Sequence, residues 1–320
     1  MIRNLIAILF TSATPVVADV SFLGMPLDCI LGETCVIEDY PDIDPTEGVS
    51  DYRCGLKTQD GHSGTDFALL NFEQMEDGVR VIAAADGRVE AIRNTRPDQP
   101  YVPGTDLDGE ECGNAVRINH GNGYQSVYCH MKLGSVRVTP GQRVVQGQLL
   151  GEVGLSGLTN FPHLHLTITQ GSDIIDPFAP GKANTCAEPR ETLWLDAPRY
   201  TDAGLFTAGV SDAVPELEQV QSGAARRTTL SPSDALVLYA HAFRVDAYDR
   251  IEMTMVGPNG PVFAHTARLD DDQAQLMRAY GKRAPDTGWA KGIYRGYAQL
   301  IRGNTTLAVR HAESRYITTP

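Results

Sequence analysis

Short apolar runs separated by turn residues dominate the chain between residues 54 and 180. Val79–Ala85 and Gly87–Ile92 are two such runs, and Asp86-Gly87 between them is a pair typical of hairpin turns. The pattern predicts that these two runs form neighbouring antiparallel strands. We predict an all-β region with little helix over this part of the chain.

A second hairpin is predicted around a glycine-rich turn. Ala115–Ile118 and Gln125–His130 flank the turn sequence His120-Gly121-Asn122-Gly123. Further along the chain, Leu164–Thr169 alternates apolar and polar residues as a half-buried strand does. Arg93–Cys112 is rich in Pro, Gly and Asp, and we predict that it is a surface loop inserted between strands.

The second half of the chain has the same pattern of short apolar runs separated by turn residues. Residues 180–191 carry Pro, Gly, Asn and charge without periodicity, so we place a domain boundary there. The strands predicted beyond it are Ala235–Phe243, Ile251–Val256, Val262–Thr266, Gly292–Ile301 and Thr305–His311. Evenly spaced short strands predict a small immunoglobulin-like β-sandwich, an accessory domain over residues 192–320.

The N-terminus has the pattern of a secretory signal peptide, which we assign to residues 1–18. Arg3 precedes the apolar run Leu5–Phe10, and Val16-Val17-Ala18 places small or short residues before a cleavage site. A buried N-terminal strand or helix is the competing interpretation. Residues 19–53 include the acidic, proline-containing stretch Glu38–Ser50 and are predicted to form an irregular segment.

The net charge and the hydropathy of the chain argue against several classes of function. The formal net charge is −13, whereas nonspecific nucleic-acid binding needs a basic face, so we expect no nucleic-acid partner. The same charge opposes electrostatic binding to anionic polymers, so an anionic substrate would have to be recognised in a local groove. No stretch approaches about 18 uninterrupted apolar residues, so we expect no membrane span. The expected protein is monomeric and exported, either periplasmic or secreted.

An even number of cysteines in an exported chain suggests disulfides. Cys29 and Cys35 could close a small loop, and Cys112 and Cys129 flank the second predicted hairpin. Cys54 and Cys186 are then left as a third pair by elimination. A zinc site made of cysteines is the rival interpretation, but the chain has no C-x-x-C pair to support it.

Three short motifs carry candidate chemistry. His62 and Asp66 are four residues apart and could reach one cation, although such a pair also occurs by chance in solvated turns. His163 and His165 flank one residue of a predicted strand and therefore point to the same face. His130 ends another predicted strand. The remaining histidines are interpreted as structural. His241, His265 and His311 lie on predicted strands of the second half with no ligand spacing among them, and His120 serves the glycine-rich turn or the rim of the groove.

Together these motifs offer three protein ligands for a catalytic Zn²⁺ with a fourth position left for water. Zinc lowers the pKa of such a water to about 7, and spare histidines can then move protons and stabilise an oxyanion. The H-E-x-x-H sequence of helical metalloproteases is absent from the chain, so that arrangement is excluded.

The order of these motifs resembles the lysostaphin-type, or LytM-type, zinc metalloendopeptidases. The resemblance rests on His62-xxx-Asp66, Tyr128-x-His130-Met131 and His163-x-His165, together with flanking glycine turns such as Asn119-His120-Gly121-Asn122-Gly123. It covers roughly residues 54–180. We therefore predict a lysostaphin-type peptidase domain over residues 54–185.

The resemblance implies a role for each matched position. His62, Asp66 and His165 would be the zinc ligands, and His130 and His163 would activate water and stabilise the tetrahedral intermediate. The implied fold is a compact antiparallel β-sheet or barrel-like domain with the metal in an open groove. The implied reaction is hydrolysis of peptide bonds in peptidoglycan, which in many Gram-negative members is the D-alanyl cross-link.

The sequence leaves two other functions open. Thr159-Asn160-Phe161 stands where the family usually has Ser-Thr-Gly, which puts the peptide specificity in doubt. A non-catalytic wall-binding or hydrolase-activating module would be expected to lack ligands, whereas all five matched positions are present here. A metallopeptidase that acts on proteins is the third possibility, and only a comparison of substrates would separate it from a wall hydrolase.

Overall fold

The structure is a computed structural model that describes residues 21–181 and 191–316. The predicted signal peptide lies outside the described residues. Strands dominate the described part of the chain, and its two helices are short. The elements of the first half are β1 (Val36–Asp39), β2 (Thr65–Ala68), α1 (Phe72–Asp77), β3 (Arg80–Ile82), β4 (Gly87–Arg93), β5 (Asn114–Gly121), β6 (Tyr124–Met131), β7 (Arg143–Val144), β8 (Leu149–Glu152), β9 (His163–Gln170) and β10 (Asp173–Ile175).

The second half begins after the predicted boundary. Its elements are β11 (Gly204–Ser211), α2 (Leu217–Ser222), β12 (Thr229–Leu230), β13 (Leu236–Val245), β14 (Arg250–Gly257), β15 (Gly260–Arg268), β16 (Gln273–Lys282), β17 (Gly292–Arg302) and β18 (Thr305–Tyr316). The all-β prediction is confirmed by this arrangement.

One long antiparallel sheet organises the first half. Its strand order is β1-β2-β9-β6-β5-β4-β7, with β10 paired to β9, while β3 and β8 form a separate two-stranded sheet. One face of the long sheet is apolar, and its core residues include Phe67, Leu164, Leu166 and Ile118. Because side chains alternate between the two faces of a strand, the polar residues between these positions project from the opposite face.

The predicted hairpin between Val79–Ala85 and Gly87–Ile92 is wrong. Strand β3 pairs with β8, and β4 pairs with β5 and β7, so the two runs belong to different sheets. A side chain at Gly87 would lie 2.5 Å from the Ile118 side chain and 2.6 Å from the Asn119 carbonyl oxygen. Gly87 therefore permits the close approach of β5 rather than a turn back onto β3.

The hairpin of β5 and β6 forms as predicted. Asn122 and Gly123 both have positive φ angles, 50° and 84°, which is the conformation of a type I′ turn. The loop predicted at Arg93–Cys112 is likewise confirmed, because no strand lies between β4 and β5 in this fully described stretch. The turn fixes the register of β6, whose last residues reach the candidate site.

The N-terminal segment is less irregular than predicted. Residues 36–39 form β1, which pairs with β2 at the edge of the long sheet. Leu23, Leu27 and Tyr40 are buried in the core of the first half. The burial of these apolar residues therefore holds the segment against the sheet. The acidic residues and prolines of the segment had suggested an irregular structure instead.

The second half is built from two sheets within the described residues, one of order β11-β13-β16 and one of order β12-β18-β17-β14-β15. Strands of both sheets contribute to one apolar cluster, which includes Leu238, Met253 and Leu300. The strands that form the β14–β15 and β17–β18 hairpins were predicted, whereas β11 and β16 were not. Assignment to the immunoglobulin type remains a prediction.

The two halves are in direct contact. A small apolar cluster joins Ala68 and Phe161 of the first half to Phe206 and Phe243 of the second. Beside it, the Arg244 guanidinium binds the buried Asp39 carboxylate through two hydrogen bonds. Strand β1, at the edge of the long sheet, therefore contacts the second half directly.

Two of the three predicted disulfides are present, Cys29–Cys35 and Cys112–Cys129. Cys54 is disulfide-bonded, and its predicted partner Cys186 lies outside the described residues. Among the residues that the structure describes, no helix is long and apolar enough to cross a membrane.

Candidate metal centre

Neighbouring strands of the long sheet bring the predicted site residues together. In the register of β2 and β9, Asp66 lies opposite His165. In the register of β6 and β9, Cys129 lies opposite His165, which places His130 at the next position along β6. Since His163 and His165 are separated by one residue, both project from the polar face of the sheet.

His62, Asp66 and His165 form a compact group. The Nε2 atom of His62 is 3.0 Å from Oδ2 of Asp66, and Nδ1 of His165 is 2.8 Å from Oδ1 of Asp66. His62 Nε2 and His165 Nδ1 are 3.2 Å apart. One ligand atom from each residue lies within 4.8 Å of the others, so the three can reach a common cation.

The remaining nitrogen of each of these histidines has an acceptor outside the group. Nδ1 of His62 is 2.7 Å from the Tyr40 carbonyl oxygen, to which it can donate. Nε2 of His165 is 2.9 Å from Oγ1 of Thr167. When these nitrogens carry the protons, the inward nitrogens are left with lone pairs. Outer hydrogen bonds of this kind orient metal-binding histidines.

His130 and His163 form the second pair, with ring centroids 4.6 Å apart. Nδ1 of His130 donates to the Ser156 carbonyl oxygen at 2.8 Å, and Nδ1 of His163 donates to the Phe161 carbonyl oxygen at 2.9 Å. Nε2 of His163 is 3.6 Å from Oδ1 of Asp66. In both rings Nδ1 is thus bonded to a carbonyl oxygen, which leaves Nε2 to exchange protons beside His62, Asp66 and His165.

The backbone at His130 is unusual, with φ at +59°. This left-handed conformation is uncommon for a residue other than glycine, although histidine is among those that adopt it more often. The backbone N–H of His130 donates to the Cys112 carbonyl oxygen at 2.9 Å. The Cys112–Cys129 disulfide thus joins the strand to the loop that holds His130 in place.

The pKa of each residue in the centre depends on the charges of its neighbours. Burial opposes protonation of His62, but the Asp66 carboxylate outweighs it and raises the pKa of His62 to about 9. Burial would raise the pKa of Asp66, yet the surrounding histidines hold it well below its usual value. Burial and the neighbouring histidines hold the pKa of His130 well below its usual value, so that ring is neutral at pH 7.

The donor set fits a metal such as zinc. Two imidazole nitrogens and one carboxylate are the ligand types of catalytic zinc sites, which keep a fourth position open. Asp66 is only 7% exposed and lies among histidine nitrogens, so a buried negative charge is already in place for a cation. His62, Asp66 and His165 are therefore the residues that could hold a metal ion here.

A groove of about 1260 Å³ contains this group. Its walls include residues that sequence analysis did not select: Glu38 and Asp39 on β1, Arg244 on β13, and Ala274 and Gln275 on β16. These residues come from distant parts of the chain and share no motif. No local sequence signal could have placed them at the groove.

The histidines interpreted as structural lie elsewhere. Nδ1 of His120 contacts the Asp86 carbonyl oxygen and its Nε2 contacts the Ser126 hydroxyl, which ties the hairpin turn to its neighbours. His241 is buried against Phe206 in the contact between the two halves. His265 and His311 are on β15 and β18 of the second half.

Residues 60–177 match Peptidase family M23. The peptidoglycan DD-endopeptidase ShyA of Vibrio cholerae is 38% identical over 104 residues, which cover 32% of this chain and 19% of ShyA. The cell division protein DipM of Caulobacter vibrioides is 31% identical over 103 residues, which cover 32% of this chain and 14% of DipM. A solved structure of a zinc containing peptidase from Vibrio cholerae is 23% identical, with 49% of this chain and 38% of that chain covered and a TM-score of 0.30.

The chain spans less than a quarter of the length of these curated relatives. The matched residues 60–177 contain His62, Asp66, His130, His163 and His165. The part of the chain that carries the candidate metal centre is therefore the part that is similar to Peptidase family M23.

Proposed function

We propose that this chain is an exported zinc metalloendopeptidase that hydrolyses peptide cross-links of bacterial peptidoglycan. The observation that carries the proposal is the convergence of His62, Asp66 and His165 on one point, with His130 and His163 beside them. Ligands alone would suit a structural metal site. The second pair of histidines, with Nε2 atoms left available, is what a hydrolytic site needs in addition.

His62 and His165 would hold zinc through Nε2 and Nδ1, and Asp66 would hold it through a carboxylate oxygen. Zinc bound there would supply Lewis-acid activation of a water molecule and of the scissile carbonyl group. Tyr40 and Thr167 would keep the two ligand rings oriented by accepting their outward N–H groups.

His130 and His163 would manage the protons. The neutral His130 ring donates through Nδ1 to the Ser156 carbonyl oxygen, so its Nε2 can accept a proton from the attacking water. His163 has the same arrangement toward the Phe161 carbonyl oxygen. A ring that has gained a proton can donate it to the leaving amine and can stabilise negative charge on the substrate oxygen.

Three observations support the substrate and the location. The relatives named above include a peptidoglycan DD-endopeptidase. The groove, about 1260 Å³ in volume, has room for a peptide and is lined by the residues of the metal centre. The two disulfides suit an oxidising compartment outside the cytoplasm. We infer that a D-alanyl cross-link of the wall is the bond cleaved.

The test combines zinc content with the release of peptide fragments from purified peptidoglycan. Wild type should bind about one zinc per chain and release fragments. His62→Ala should lose both metal and activity, because a ligand is gone. His130→Ala should keep the metal and lose activity, because only proton transfer is affected. His311→Ala is the matched control, since His311 lies on the exposed side of β18, and it should behave as wild type.

Three outcomes would each contradict one part of the proposed function. If wild type binds no zinc, the metal assignment is wrong. If it binds zinc but releases nothing from several wall types, the chain is a binding or activating module. If it releases nothing from peptidoglycan but digests an unfolded generic protein, the substrate class is wrong and the chemistry stands.

A further inference from the structure

Glu38 occupies a special position at the edge of the groove. Along β1, Ile37 pairs with Phe67 and Asp39 pairs with Asp66, so Glu38 is an extra residue in a β-bulge. A bulge of this kind turns a side chain away from the regular alternation of the strand and is frequent beside active sites. Glu38 lines the groove that holds the metal centre, together with Asp66 and His163.

The carboxylates around Glu38 already have partners for their charge. Asp66 lies among the histidines of the metal centre. Asp39 is 1% exposed and binds the Arg244 guanidinium, with a further hydrogen bond from the Gln59 amide. Neither of these carboxylates is available to a substrate.

Glu38 differs from both, because its partner is neutral. The amide Nε2 of Gln275 donates to Oε1 of Glu38 at 2.7 Å. Among residues 21–181 and 191–316, no Lys, Arg or His side chain forms an ion pair with Glu38. Gln275 comes from β16 of the second half, so the two halves of the chain jointly hold this carboxylate at the groove.

A carboxylate in this setting favours a cation. Burial and the nearby Asp39 raise the pKa of Glu38 to about 7, because its charged form loses hydration and lies close to a second carboxylate. A ligand ammonium group would remove that cost and would form a charge-assisted hydrogen bond. A neutral group, such as the unsubstituted backbone of a glycine bridge, would not.

We propose that Glu38, positioned by Gln275, is the subsite for a primary ammonium group that the substrate peptide carries close to the scissile bond. This inference rests on the proposed peptidase function and adds a preference among peptides to it. Gln275 is a positioning residue, because it acts on the substrate through Glu38.

The test uses two peptides that are identical except for one side chain near the scissile bond, which carries a free amine in one and an acetylated amine in the other. Wild type should cleave the free-amine peptide with at least about tenfold higher kcat/KM, as expected for one hydrogen bond to a charged group. Glu38→Gln should bring this ratio close to one, mainly through KM, with little change for the acetylated peptide. Gln275→Ala should reduce the ratio partially, because the carboxylate remains but is less well oriented.

Glu47→Gln is the matched control, because Glu47 is an exposed carboxylate of the N-terminal segment that does not line the groove; its ratio should equal that of wild type. Zinc content should be the same in all four proteins. Equal cleavage of both peptides by wild type would overturn the inference and leave the proposed function intact, as would an equal loss on both peptides in Glu38→Gln. If wild type cleaves neither these peptides nor peptidoglycan, the proposed function fails and the inference fails with it.

Discussion

Thr167→Val tests whether a single outer hydrogen bond sets the metal affinity of the proposed centre. Valine has nearly the shape of threonine but cannot accept the N–H of His165, whose Nε2 lies 2.9 Å from the Thr167 hydroxyl oxygen. In the metal-free protein, His165 can instead carry its proton on Nδ1 and donate to Asp66 at 2.8 Å. Metal binding removes that option, because Nδ1 must then offer its lone pair to the cation.

The hydrogen bond to Thr167 therefore stabilises the metal-bound state more than the metal-free state. A buried donor that loses its partner costs about 1–3 kcal/mol. The His165 side chain is 13% exposed, so water can replace part of the lost bond. We expect zinc to bind about tenfold more weakly, which corresponds to about 1.4 kcal/mol and is at the lower end of the effects of outer partners on metal affinity.

The measurement is a zinc titration in competition with a coloured chelator of known affinity. Thr167→Ser keeps the hydroxyl group and should bind zinc nearly as tightly as wild type. Thr169→Val is the matched control, because Thr169 lies two residues further along the same face of β9 and none of the described hydrogen bonds joins it to a histidine of the centre. If Thr167→Val binds zinc as tightly as Thr169→Val, or if Thr167→Ser is as weak as Thr167→Val, the reasoning about the proton on His165 is refuted.

Three further predictions concern packing and charge around the centre. Gly64→Ala should impair zinc binding and destabilise the fold by about 1–3 kcal/mol, because a Cβ atom there would lie 2.6 Å from Nε2 of His165; zinc titration and thermal unfolding measure this. Arg244→Ala should lower the free energy of unfolding by about 3 kcal/mol, because Asp39 is left as a buried charge without its cation; denaturant titration measures it. In the metal-free protein, the free energy of unfolding should fall as the pH rises from about 6.5 to about 9. The lower limit is the pKa of histidine in the unfolded chain, and the upper limit is the raised pKa of His62 in the folded chain. Between these limits the folded protein loses the proton whose binding to His62 stabilised it.

Each of these predictions has a control that the chain provides. Ser63→Ala places a similar change beside Gly64 without entering the space of His165 and should leave zinc binding unchanged. Arg295→Ala breaks an exposed pair with Glu313 and should cost less than about 1 kcal/mol; an equal loss in both arginine variants would contradict the role given to burial. A His62→Ala protein that keeps the full pH dependence would show that another group is responsible.

The site could be predicted from sequence because its residues lie in short motifs with a physical meaning. Two histidines on alternate residues of a strand must share a face, and a histidine four residues before an aspartate can share a cation with it. The structure places these residues together across β2, β9 and β6.

Strand pairing was harder to predict than strand existence. The Asp86-Gly87 pair looked like a hairpin turn, but Gly87 is needed for the close approach of β5. Local patterns indicate that a run is a strand, whereas its partner is decided by burial across the whole sheet. The same limit applies to the groove, because Glu38 and Gln275 are separated by 237 positions and meet only after the two halves have packed.

Strand β1 has a consequence for any attempt to work with a shorter protein. Residues 60–177 match the peptidase family, yet β1 and the Tyr40 carbonyl that orients His62 lie before residue 60. A fragment cut at the limits of the match would leave the outer edge of β2 with unpaired N–H and C=O groups. Such an exposed edge recruits strands from other molecules, so we expect the fragment to aggregate before its catalytic competence could be judged.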